Sequence, residues 1–135
     1  MSLDFSPLEK ALNSLNRALV RAVATPGDEE LRDACIQRFE YTFELCWKML
    51  KRQLESELPN PTEVDGYSYR KLFRVAAERG LVQDVEAWFD YRERRNITSH
   101  TYDEEKAVRV FEALPAFAGH AEKLLTSLKE SSGKN

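Results

Sequence analysis

Between Tyr91 and Tyr102 the chain reads YRERRNITSHTY, and the side chains best suited to chemistry are concentrated there. His100 can carry a proton near neutral pH. Arg95 can hold a phosphate through two parallel hydrogen bonds, and Asn96 can orient the imidazole or a substrate. Cleaving RNA by attack of its own 2′-hydroxyl calls for such an acid–base group and for a cation against the developing charge, without a metal. On helical spacing Asn96 and His100 share a face, while Arg95 and Tyr102 nearly eclipse two turns apart. Arg95 and His100 diverge somewhat but can converge on a ligand near the helix end. The same residues also describe an ordinary helix terminus. Arg92, Arg94 and Arg95 suit the negative end of the helix dipole, and His100 is then a surface histidine. Residue types alone leave both readings open, and the second is the commoner arrangement.

The remaining candidates point to structure rather than chemistry. His120 has no carboxylate, cysteine or second histidine at metal-ligand spacing, so a structural or surface role is expected. Glu40, Glu44 and Lys48 read as a spaced charge series on one helix. Cys35 and Cys46 are separated by roughly 16 Å along that helix, beyond disulfide reach, and read as small buried hydrophobes. No glycine-rich phosphate loop and no Ser-His-Asp set occurs. No metal or cofactor is expected.

The elements that must position the Arg95 segment follow from apolar spacing. Phe5, Leu8, Leu12, Leu15, Leu19 and Val23 step by three and four, giving a first helix that Thr25-Pro26-Gly27 ends. Asp28 opens a long second helix through Phe39, Phe43, Cys46, Trp47, Leu50 and Leu54, stopped by Pro59-Asn60-Pro61, with a turn-rich loop over 59–67. Ser68 caps a short helix with Gly80 past its end. Asp84 caps a third main helix reaching about Ser99. Asp103 starts a last one through Val108, Phe111, Phe117, Leu124 and Leu128, which Pro115 should kink or break. The tail 131–135 reads as frayed. Strand signals are nearly absent. The expected fold is all-α: an antiparallel four-helix bundle with a short extra helix between the second and third main helices, as a single domain over 1–135 ordered from about 4 to 129.

Composition agrees with a folded chain of this size: 42% of residues are hydrophobic and 32% charged, too balanced for disorder. The formal net charge of −3 argues against a broad DNA-binding face. A local basic surface remains open to Arg70, Lys71, Arg74 and Arg79, which could equally be a solvated helix face. No apolar run is long enough to cross a membrane and the N-terminus has no leader pattern, so a cytoplasmic protein is expected. Phe39, Phe43, Trp47, Trp88 and Phe89 are expected in the core or a dimer interface.

Two stretches carry a family resemblance. RNITSHTYD, Arg95 to Asp103, resembles the motif of the HEPN superfamily: Arg, a polar residue, then His after a short gap, here with the His-x-Tyr ending His100-Thr101-Tyr102. IQRFEYTFELCWKMLK, Ile36 to Lys51, is similar to the second-helix signature of the nucleotidyltransferase substrate-binding proteins. The resemblance runs from Phe5 to about Leu128. It implies a helical bundle that forms a homodimer and partners a separately encoded minimal nucleotidyltransferase, in a pair similar to a toxin–antitoxin module. In related pairs the HEPN subunit is a metal-independent ribonuclease, silenced when the enzyme places AMP on the motif tyrosine. Carried onto this chain, Arg95 and His100 are the cleavage pair, Asn96 a supporting residue, and Tyr102 the modified position. RNA is the implied substrate, cut in a cleft that two protomers share.

Overall fold

The computed structural model describes residues 3–133, and every regular element among them is helical. In chain order these are α1 (Ser6–Ala24), α2 (Glu29–Glu57), α3 (Pro61–Val64), α4 (Tyr69–Glu78), α5 (Val85–Asn96), a 3-10 turn (Thr98–His100), α6 (Glu104–Phe111) and α7 (Leu114–Gly133). The all-α expectation holds.

Polar capping residues set most of the helix starts. The carboxylate of Asp28 accepts from the Leu31 N–H at 3.0 Å. Ser68 Oγ accepts from Lys71 N–H at 3.1 Å, and Asp84 accepts from Ala87 N–H at 3.1 Å. Each answers a donor that a helix N-terminus leaves open. At the other end of α2, Leu58 precedes Pro59 and is extended, with φ −84° and ψ 147°, as the proline ring demands. Helix α4 closes on Gly80 at φ +80°, with Leu81 N–H donating to the Ala76 carbonyl and Gly80 N–H to the Ala77 carbonyl. A side chain at that backbone angle is strained, which is why glycine ends this helix.

Helix α2 packs against every other element and is the spine of the fold. Its Cys35, Phe39, Phe43, Cys46, Leu50 and Leu54 are buried. Both cysteines are free thiols, and burial raises their pKa, so they behave as core residues. Phe117 of α7 is the centre of the aromatic packing. It meets Phe39 at 4.8 Å, Tyr91 at 5.2 Å and Trp88 at 5.8 Å between ring centroids, each edge-on. Edge-on pairs of this kind contribute about 0.5–1.5 kcal/mol each beyond burial itself.

Several expectations are corrected. Helix α5 stops at Asn96 rather than near Ser99. The loop over 59–67 holds the short helix α3. The break expected at Pro115 is present and divides the last helix into α6 and α7, with Pro115 in the first turn of α7 where a missing N–H costs nothing. Residues 131–133 continue α7, while Lys134 and Asn135 lie outside the described residues. Val23, the last of the expected α1 stripe, is 72% exposed. Phe39, Phe43, Trp88 and Phe89 are buried as expected, but Trp47 is only partly so.

Candidate functional site

Thr98 ends α5. Its hydroxyl donates to the Arg95 carbonyl at 2.8 Å, satisfying an acceptor that the helix terminus leaves open. The backbone then tightens: His100 N–H donates to the Ile97 carbonyl and Asp103 N–H to the His100 carbonyl, both at 3.0 Å. Asp103 accepts from Glu105 N–H at 3.0 Å and from Lys106 N–H at 3.3 Å, fixing the start of α6. Residues 97–103 are therefore a braced turn. The helical-face relations expected of Asn96 with His100 and of Arg95 with Tyr102 do not exist, because no helix joins them.

The Arg95 side chain turns toward α2. Its Nη1 donates to Thr98 Oγ at 3.1 Å, and its Nε lies 3.3 Å from Glu44 Oε1. That Nε is buried and makes no hydrogen bond, so Glu44 holds it by charge. The second Glu44 oxygen accepts from the Trp47 indole N–H at 3.0 Å. Glu44 thus belongs to the Arg95 site and not to a surface charge series with Lys48. Arg95 and Asn96 line a cleft of about 420 Å³ together with Trp47, Tyr67, Tyr69 and Arg92.

His100 and Tyr102 are not on the cleft wall. They stand on the exposed turn that follows it, their rings 6.1 Å apart and steeply inclined. Tyr102 is 84% exposed. The structure brings Arg95 and Asn96 together, and His100 and Tyr102 together, as two adjoining parts. Chemically, the first part can hold an anion, and the second offers an imidazole and a phenol to whatever reaches the surface. Among the described residues, no group of three or more His, Cys, Asp or Glu is placed to hold a metal ion.

Its neighbour in sequence, Arg94, does structural work. It pairs with Asp90 at 2.9 Å and Glu112 at 3.4 Å and donates to the Arg109 carbonyl, tying α5 to α6 and the α6–α7 junction. His120 is likewise structural: its Nδ1 is 2.5 Å from the Tyr91 hydroxyl and its Nε2 is 3.8 Å from Asp84. Tyr91 is 3% exposed, and its phenol is pushed up to about 12, chiefly by burial and then by the charges of Asp84 and Asp90.

Two residues of the site escaped the sequence reading. Thr98 carried a local signal, a hydroxyl one turn past Arg95 where a helix-ending bond can form. Glu44 carried none, since its partner lies on another helix.

A family model described as nucleotidyltransferase substrate binding protein like matches residues 3–130. The chain belongs to this family. It is 41% identical over 95 residues to a protein of Haemophilus influenzae named probable ribonuclease HepT, an alignment that spans 70% of this chain and 65% of that relative. A solved structure from Haemophilus influenzae, described as the fold of a substrate binding domain of a nucleotidyltransferase, superposes with a TM-score of 0.88 at 34% identity, covering 93% of this chain and 99% of that one. A crystal structure from Thermus thermophilus gives a TM-score of 0.75 at 36% identity, covering 90% of this chain and 98% of its own. Both solved structures share this helical fold across most of their length.

Proposed function

We propose that this family member is the substrate-binding partner of a separately encoded minimal nucleotidyltransferase, paired with it as in a toxin–antitoxin module, and that Tyr102 is the residue the enzyme modifies. The observation that carries this is the Tyr102 phenol, 84% exposed on a turn braced by Thr98 and Asp103. An exposed phenol can enter another protein's active site without unfolding its own. In the transfer, the phenol oxygen attacks the α-phosphorus of ATP, pyrophosphate leaves, and the phenol proton passes to a base of the enzyme. Incubating the two proteins with ATP should add the mass of one adenylyl group (AMP less water) to this chain, and Tyr102→Phe should remove that addition. Unchanged labelling of Tyr102→Phe would move the acceptor elsewhere, and no complex at all would end the partner reading.

A second reading follows from the name of the Haemophilus relative and from Arg95 on the cleft wall. Here the chain is itself a metal-independent ribonuclease. The 2′-hydroxyl attacks the adjacent phosphorus, the 5′-oxygen leaves, His100 moves the proton, Arg95 steadies the negative charge and Asn96 supports them. A homodimer would set two such motifs on one shared cleft, within a cytoplasmic pair. AMP on Tyr102, two residues from His100, would then block the site. Cutting of total cellular RNA, with chelator present, should occur with the parent protein and fail with His100→Ala. Equal cutting by both would remove the imidazole from the mechanism.

A further inference from the structure

The geometry points to the cleft beside Arg95 as a seat for one base of single-stranded RNA, with the strand's phosphates running along Arg95, Arg92 and Arg70. This rests on the reading of the Arg95–His100 segment as an RNA site.

Size and walls come first. At about 420 Å³ the cleft lies in the range that holds small organic groups. Trp47 lines it from α2, Tyr67 from the loop before α4 and Tyr69 from the first position of α4. Arg92 already covers the Tyr69 ring and Lys71 the Tyr67 ring, each at 4.7 Å, which leaves Trp47, with the Lys48 ammonium 5.9 Å from its centroid, as the ring for stacking. Trp47 is the one tryptophan outside the core, and its indole N–H is held by Glu44 at 3.0 Å, which fixes the ring in place. A sequence-tolerant platform needs such a ring, held open rather than packed away.

Charge comes second. The two carboxylates on the wall are already answered: Glu44 by Arg95 and Trp47, and Asp65 by Lys51 at 2.8 Å. Arg92 is not. Among the described residues no carboxylate lies within 4 Å of it, and its guanidinium stacks on the Tyr69 ring at 4.7 Å. Arg70 repeats the pattern, stacked on Phe89 at 4.4 Å and, among the described residues, with no carboxylate within 4 Å. Stacked guanidinium groups keep their N–H edges available for phosphate. Arg70 and Arg92 also share a smaller recess with Tyr69, Asn96 and one carboxylate, Glu93, so cations outnumber it two to one there; Tyr69, Arg92 and Asn96 line the main cleft as well. On a chain of net charge −3, this run of cations interleaved with rings is local. It matches the way unpaired strands are bound, with backbone on cations and bases on aromatic faces.

The test uses the full chain carrying His100→Ala, so that the strand is not cut, and oligoadenylate and oligouridylate hexamers as probes. Trp88 is buried and serves as the silent reference, so RNA should quench the Trp47 share of the fluorescence, and Trp47→Phe should abolish the quenching. Trp47→Leu should weaken binding on the order of tenfold, the scale of losing one stacked base. Arg92→Gln, a surface change that leaves the fold intact, should weaken binding and lower the salt slope by about 0.7, one single-strand phosphate contact. Binding unmoved by Trp47→Leu and Arg92→Gln, or no binding, overturns the seat. With His100 restored, cutting by both variants at the parent's KM would do the same while leaving the ribonuclease reading standing. Binding as expected without any cutting would keep the seat and remove the catalytic reading.

Discussion

The two histidines occupy opposite situations. His120 is held between the buried Tyr91 hydroxyl and Asp84, next to the Phe117–Trp88 ring packing. His100 stands exposed on a turn beside an exposed tyrosine, and among the described residues its ring has no hydrogen-bond or ion-pair partner. Both regions pair a histidine with a tyrosine. In one, neighbours fix the groups and their interactions are spent on holding α5 against α7. In the other, the backbone is braced by Thr98 and Asp103 while the rings are left open to a ligand. A side chain with satisfied partners stabilises; one without them on a rigid support can act on something else.

The contrast can be broken most severely at the rings beneath His120. Phe117→Ala should cost about 3–5 kcal/mol by denaturant titration, through lost burial and the cavity left among Phe39, Trp88 and Tyr91. A cost under about 1 kcal/mol would mean that this packing is not where the stability lies.

Alkali probes the same region by titration. The Tyr91 phenol is raised from 10.0 to about 12, so the folded state keeps a proton that the unfolded state releases. Its contribution is intact below pH 10 and is lost as pH rises from 10 through 12, by about 2–3 kcal/mol over that interval. Burial raises the Tyr69 phenol too, so the full decline is steeper than Tyr91 alone gives. Tyr91→Phe should flatten the alkaline limb in part; an unchanged limb would show that Tyr91 is solvated.

His120→Ala should cost about 1–2 kcal/mol, since it strands the buried Tyr91 hydroxyl, and on the ribonuclease reading should leave any RNA cutting as it was. His100→Ala should be the smallest change of all in stability, within about 0.5 kcal/mol, and on the ribonuclease reading it is the variant that stops cutting. If the two variants traded these effects, the division between a structural and a functional histidine would be reversed.

Much of the fold is legible in the sequence. Asp28, Ser68, Asp84 and Asp103 marked helix starts because a short acceptor side chain at the first open N–H is a local device. Gly80 and Pro59 marked ends for equally local reasons. The segment carrying Arg95, Asn96, His100 and Tyr102 announced itself by residue type and by resemblance. What misled was the assumption of one continuous helix through it. Thr98 capturing the Arg95 carbonyl ends α5 earlier, and every face relation drawn beyond Asn96 falls with it. Trp47 misled as well, because an apolar helical period does not say which edge of the stripe faces a cleft.

The sequence by itself determined the helical class, most helix boundaries and the family, since capping, proline geometry and motif spacing act within a few residues along the chain. Only the tertiary structure decided that Glu44 of α2 holds Arg95 of α5, that Arg95 faces a cleft while His100 and Tyr102 face solvent, and that His120 is bound to Tyr91. Those contacts join residues 29 to 51 positions apart, and how two helices rotate against each other is fixed by the packing of the whole core, which no local pattern encodes.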